Sequence, residues 1–485
     1  MRRDTPIFGA VVVAVVVISL FVGATGVRNP ARSVGTAPVV ARTLICPIVN
    51  GSPRHTVSTA TVADVGSALP TPVHGTGTVT ATVLLGSKST TSTLKVGPSA
   101  SVRSRSLQPE SVAISSEGTI SASLAADALI ETSAGRYRAL AGGACLPPAT
   151  DWWFAGGNGK LGFTDRLVLA NAASTDADVG VTLWTAKGVV TTPRLAAIRV
   201  PARSRVPVGI FTVAPDIPTV AMHVHADSGA VTAAVIDRRS QGLASNGGDL
   251  VPPTLPPSRH LVIPGFPATA GPRSLVVVNP GTSDATVSVK VATPNGEFTP
   301  SSVKEFVVGP GRTSTVDITA ALGGLSGAVL LSSDLPVFAS GQASLVPGRS
   351  KLRPDFVWLA ATKPLSSPAA VAVGREPDGG DCILLLSAPS TRAGSVRVTA
   401  ASGASRTIDI AAGHTVQTYV TDTVKSGTGP WSFVVTSTGS GPVYAVRELL
   451  LHGAHGALMT SEPLTPLPLP LPLPAVRADP RLALR

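Results

Sequence analysis

A chain of 485 residues exceeds one ordinary hydrophobic core, so length alone predicts about three or four domains. Only 14% of its residues are charged and 4% aromatic, while Ala, Val, Ser, Thr, Gly and Pro dominate, which favours strands and turns over long helices. The net charge of +11 comes from arginines scattered along the chain, as a GC-rich coding bias would leave them. With no basic block interleaved with aromatics, a nucleic-acid surface is excluded, whereas attraction to anionic lipid or wall polymers is compatible with the summed field.

Behind Arg2 and Arg3, residues 7–27 carry no charge and are almost continuously apolar. As a helix they reach about 30 Å, enough to cross a bilayer core. The expectation is a cytoplasmic end (1–6), a transmembrane helix (7–27) and a linker (28–42). That describes a single-pass protein of the cell membrane whose carboxy-terminal bulk lies outside the cytoplasm. Arg28 and Arg32 oppose this orientation, and the small residues Val22-Gly23-Ala24 offer the alternative of signal cleavage and secretion. The bulk is exported in either case.

Three cysteines suit such a compartment. Cys46 precedes Pro47 where order should begin, and Cys145 precedes Leu146-Pro147-Pro148 at the end of a first module, so the two are disulfide candidates. A bridge would close a loop of about 100 residues, nominally worth about 4–5 kcal/mol. Cys382, inside an apolar run, reads as a buried strand thiol.

The strongest internal signal is a repeat. Leu167-Val168-Leu169-Ala170-Asn171, Leu275-Val276-Val277-Val278-Asn279 and Ile383-Leu384-Leu385-Leu386-Ser387 end on positions 108 apart. Alternating strands follow at the same spacing, with Val179, Val181 and Leu183 in one copy and Val287, Val289 and Val291 in the next. The spacing extrapolates back to Ala63. The fold class is therefore all-β, as tandem immunoglobulin-like sandwich modules of about 108 residues behind an amino-terminal transmembrane helix, with a β-propeller as the alternative. Module boundaries fall at 43–150 (degenerate), 151–258, 259–354 and 355–461. The apolar runs Leu261-Val262-Ile263 and Phe356-Val357-Trp358-Leu359 are read as openings of the last two modules. From 462 to 485 alternating prolines predict an extended spacer.

Three features together resemble an uncharacterised family of membrane-anchored or secreted envelope proteins from high-GC Gram-positive bacteria. They are the apolar amino terminus, Cys46-Pro47 with Cys145-Leu146-Pro147 running into Asp151-Trp152-Trp153-Phe154, and the strand ending in Asn279-Pro280. The resemblance covers most of residues 1–460. It implies an envelope address and carries no catalytic residue over.

Motifs for chemistry are sparse. Gly157-Asn158-Gly159-Lys160-Leu161-Gly162 fits GxGxxG as a string but leads into a strand, so it reads as a turn at Asn158-Gly159. His223, His225 and Asp227 alternate as HxHxD, which puts all three on one face of a strand where a metal could be held. Histidines packed on a strand face explain them as well, and the pair His452 and His455 is a weaker version. Ser301-Ser302-Val303-Lys304 has SxxK spacing but lies in a hairpin without its partner motifs. Trp152 and Trp153 point to opposite faces of a strand, one for an interface between modules, the other free to stack on a glycan.

These features predict a non-catalytic extracytoplasmic scaffold or interaction protein that binds an envelope protein or cell-wall polysaccharide, with no cofactor. One alternative is an envelope hydrolase or glycan-modifying enzyme with a metal-dependent site. The other is a carbohydrate-binding array.

Overall fold

The computed structural model describes residues 36–48, 55–97, 100–104, 110–348, 352–374, 380–389, 391–420 and 430–472. The apolar segment 7–27 and its flanks lie outside them, and no described helix is long and apolar enough to cross a membrane. Residues 36–38 and 470–472 belong to a small unit of their own, in which Thr36–Ala37 pairs antiparallel with Leu471–Pro472.

The described residues of 39–469 are built almost wholly of strands and their connections, and among them no sheet closes into a barrel. They form four β-sandwiches, each with a core between two sheets. In the second, Asp151–Phe154, Ala221–Ser228 and Ala177–Thr185 face Ser204–Gly209, Arg166–Asn171, Thr232–Gln241 and Ala244–Val251. Phe154, Val179 and Val224 meet Leu169 and Val235 between them. The first, third and fourth cores are built the same way around Ile114, Val289 and Phe433. The long strand Gly327–Leu345 serves both sheets of the third sandwich. Its first half pairs with Ser258–Phe266 and Ala285–Thr293, its second with Arg273–Asn279 and Asp355–Ala360.

Period-2 alternation explains the half-buried strands: along Ala177–Thr185 and Ala285–Thr293 the valines at alternate positions are buried. The continuous apolar runs have a different cause. Leu275 and Val277 fill the third core, while Val276 and Val278, on the opposite face, pack into the second. A run apolar on both faces marks a strand sandwiched between its own core and its neighbour.

At the end of these runs Asn171 and Asn279 make one device twice. Asn171 Nδ2 donates to Thr175 O and Val200 O at 2.8 and 3.0 Å, and Asn279 Nδ2 donates to Ser283 O and Val308 O at 2.7 and 2.9 Å. Each side-chain oxygen accepts the N–H two residues on, from Ala173 or Gly281, at 2.9 Å. An asparagine that satisfies the turn after a strand through its own amide explains why the position repeats.

The last strands of the four sandwiches are Ala139–Ala144, Ala244–Val251, Asp355–Ala360 and Gly456–Pro463. They pack first on second, second on third, third on fourth and fourth on first, in a closed ring. Asp355–Ala360 thus closes the third sandwich instead of opening the fourth at 355, and Ala369–Val373 is the first strand of the fourth, paired with Trp431–Ser437. The closing run Asp355–Ala360 is as buried and apolar as the opening strand Ala369–Val373, so patterning could not tell the two roles apart. The proline-rich stretch begins docked: Thr465–Pro466 pairs with Ala369 and Ala370, and Leu464 and Leu467 are buried. Alternate leucines give the prolines an apolar face to pack, which a free spacer from 462 would not need.

Cys46 and Cys145 are joined by a disulfide with Cα atoms 4.2 Å apart, which ties the entry and exit strands of the first sandwich. Cys382 is buried in the fourth core.

Candidate functional site

The short strand Asp151–Phe154 opens the second sandwich, and its alternation divides its side chains. Trp152 and Phe154 turn inward. Trp152 is 8% exposed, and its indole N–H donates to Val231 O at 2.8 Å, so it is packed in the core. Asp151 and Trp153 turn outward. The neighbouring strand Ala221–Ser228 is in register with Asp151 opposite His225 and Trp153 opposite His223. Met222 and Val224 go to the core, which leaves His223, His225 and Asp227 on the outer face with Asp151 and Trp153.

The cluster converges on one atom. His223 Nε2 and His225 Nδ1 each lie 2.9 Å from Asp151 Oδ1. Thr150 Oγ1 donates to the other carboxylate oxygen at 2.9 Å. The His223 imidazole lies on the Trp153 indole, ring centroids 3.8 Å apart and planes within 10°. Trp153 also meets Phe338 of the third sandwich edge-on at 5.1 Å. Hydrogen bonding from His225, with smaller help from His223 and Thr150, holds the Asp151 carboxyl down to about 2. Burial lowers His223, and the bond to Asp151 raises His225.

Of the three residues that the sequence suggests as metal ligands, the structure brings two together. Asp227 stands aside, with Oδ1 3.8 Å from the remote Nε2 of His225, and the third member of the cluster is Asp151. Spacing along one strand shows which residues share a face but not what lies opposite on the next. The one signal available was the matching Asp151-x-Trp153 and His223-x-His225 alternation.

Asp151 and Trp153 also line a cleft of about 720 Å³. Its walls are drawn from Ala445 and from 144–153, 252–256, 361–366 and 463–466, which begin at or just after the ends of the four ring strands. Because each connector turns away from the ring at the same end, they enclose a shared space rich in proline and aliphatic carbon. Lys363, Asp151 and a few hydroxyls supply the polar groups.

A second group of perturbed carboxylates is buried within the ring. Asp249 accepts from Trp358 N at 3.0 Å and Thr460 Oγ1 at 2.8 Å, and Asp355 accepts from Gly248 N at 3.2 Å and Met459 N at 2.9 Å. Gly142 N donates to Thr460 Oγ1 at 2.8 Å, and the Arg138 guanidinium reaches the carbonyls of Gly456 and Ala457. These bonds link all four sandwiches. Arg447 pairs with Glu462 close by. Burial pushes Asp127 up to about 6, Asp355 to about 7, Glu448 and Glu462 to about 8, and Asp249 well above the carboxylate range.

The remaining motifs play local roles. Gly157 to Gly162 contains no helix start; Asn158 is anchored by its N–H to Asp165 Oδ2 at 2.7 Å. Asn158 Oδ1 accepts Lys160 N–H at 2.8 Å in a side-chain turn over Asn158-Gly159, and the backbone β-turn falls three residues later, at Leu161-Gly162, closed by Phe163 N to Lys160 O at 3.1 Å. Ser301 and Ser302 sit in an exposed turn before Lys304. His452 lies 3.3 Å from Asp381 on the surface.

No curated protein matches the chain. A family of unknown function, DUF5719, matches residues 73–421, from the first sandwich into the fourth. With most of its length matched, the chain belongs to DUF5719.

Proposed function

We propose that this chain is a non-catalytic interaction protein of the cell envelope, exported by its amino-terminal apolar segment and built from four tandem β-sandwich modules. The partner is a polypeptide segment of another envelope protein, received in the cleft between the connectors. The observation that carries this reading is the cleft itself: about 720 Å³, largely apolar, with a few polar groups at fixed positions. Its walls are connectors held by a locked ring, so the site is pre-organised and binding orders little. The Cys46–Cys145 bridge supports an oxidising compartment, and the charge-free segment 7–27 supports export.

A specific contact favours polypeptide over glycan. A sugar needs an open aromatic face, and one face of Trp153 is covered by His223 at 3.8 Å. The proline and leucine lining instead suits apolar side chains. Titration of tryptophan emission separates the two. Detergent-extracted envelope proteins should shift the emission of the full chain, Trp153→Ala should abolish the shift, and wall polysaccharide should leave it unchanged. A shift with polysaccharide alone would replace this partner by a glycan, and no shift with either would defeat the cleft as a binding site.

A further inference from the structure

We propose that Asp151, His223 and His225 form a binding site for a single divalent transition-metal ion of the zinc class, on the outer face of the second sandwich where it borders the cleft. The site needs no cleft partner and stands apart from that reading.

The geometry comes first. Asp151 Oδ1, His223 Nε2 and His225 Nδ1 all lie within 4.8 Å of one another, and each nitrogen is 2.9 Å from the same oxygen. Metal–ligand bonds of about 2.0–2.1 Å in tetrahedral zinc geometry place donor atoms about 3.3–3.4 Å apart. Each nitrogen is thus within about half an ångström of the spacing from the oxygen that it would have around one ion. They come from two adjacent strands held in register by the sheet, a rigid platform for the donors. Asp151 and His225 are exposed, which leaves the outer side of such an ion open to water or to a group from a bound partner.

Two of the three donors are also held from behind, as metal ligands usually are. Thr150 Oγ1 fixes the second oxygen of Asp151 at 2.9 Å. The Trp153 indole fixes the plane of the His223 ring. Asp227 Oδ1 lies 3.8 Å from Nε2 of His225, beyond hydrogen-bond distance but near enough for its charge to favour an imidazole that ligates through Nδ1. Opposite His225 on the other flanking strand stands Gly180, so no side chain crowds the site from there. Two imidazoles and one carboxylate are a donor set for zinc and its neighbours, whereas calcium and magnesium take oxygen.

The test uses the full chain in detergent, stripped of metal and free of any affinity tag, titrated with zinc alone by calorimetry at neutral pH. One equivalent should bind, with a matching rise in thermal unfolding midpoint. His223→Ala and His225→Ala should each weaken binding by about 100-fold or more, and Asp227→Asn by about 10-fold. Asp151→Asn, nearly isosteric and on the surface, should weaken zinc binding without altering the circular dichroism of the metal-free protein. His260→Ala, on the third sandwich, should bind as wild type. Failure to bind one equivalent, or equal affinity in the His223→Ala, His225→Ala double variant, would overturn the site. Zinc binding bears on this site alone, whereas the interaction reading stands or falls on the tryptophan-emission titration.

Discussion

The carboxylates of this molecule fall into two groups whose environments act in opposite directions. Inside the ring, Asp249, Asp355 and Glu462 are taken from water and their pKa values rise, and the oxygens of Asp249 and Asp355 accept donors from neighbouring sandwiches. On the outer face Asp151 stays in water, two imidazoles donate to it, and its pKa falls to about 2. Perturbed groups are guides to function only when their surroundings are read with them. The inner set has the larger shifts, yet Asp249 and Asp355 use their oxygens to join modules. The outer set has smaller shifts and donor atoms that face an open space, which is what a ligand requires.

The largest effect should come from the ring. Asp249→Ala would orphan the buried Trp358 N–H and leave the Thr460 hydroxyl only the longer acceptor Gly142 O at 3.5 Å. Losing a buried polar partner costs roughly 1–3 kcal/mol per group, so a loss of about 3–5 kcal/mol is expected, measured as a lower urea midpoint. A loss below about 1 kcal/mol would mean that the sandwiches do not depend on this lock. The adjacent tryptophans sharpen the same contrast. Trp152→Ala, in the core with a buried indole bond, should cost about 3–5 kcal/mol. Trp153→Ala should cost about 1–2 kcal/mol, and equal losses would erase the distinction between the inner and outer faces of that strand.

pH should separate the two groups by sign. In the unfolded chain the ring carboxylates ionise near their ordinary values of about 4, whereas in the folded chain Asp127, Asp355, Glu448 and Glu462 hold protons to about 6, 7, 8 and 8. Across that window the folded state binds more protons, so stability is fully present below pH 4 and declines as pH rises toward 8. Asp151, with its pKa lowered, contributes stability that is present above its ordinary value and is lost as pH falls through about 2. Thermal unfolding between pH 4.5 and 8.5 should therefore show a falling midpoint, and a flat or rising profile would show that the buried acids ionise without cost. The smallest effect is expected from Asp151→Asn, within about 0.5 kcal/mol of wild type in stability because its partners stay solvated.

Much of the fold was legible because the repeated features are local. Asn171 and Asn279 satisfy their own turns, and the valines at 179, 181, 287 and 289 follow the two-residue period of a half-buried strand. The cysteines at the ends of one module could likewise be paired by position. What escaped depends on neighbours distant in sequence. The partnership of Asp151 with His223 and His225 spans about seventy residues and is set by strand register. The run from Asp355 to Ala360 is apolar on both faces for the same reason as Val276 and Val278, because it lies between modules, so its pattern could not say which module it closed. The ring of carboxylates was invisible, since isolated Asp and Glu residues on strands ordinarily mark a wet face.

The central claim is that the cleft between the connectors, and not the outer faces of the sandwiches, receives an envelope polypeptide. Photo-crosslinking in the native envelope tests it most directly, with a benzophenone amino acid replacing Lys363 at the cleft in one version of the full chain and Lys304 on an exposed hairpin in another. The account predicts a discrete protein adduct from position 363 that Trp153→Ala removes, and none from position 304. Adducts of equal yield from both positions, or an adduct from 304 alone, would contradict it.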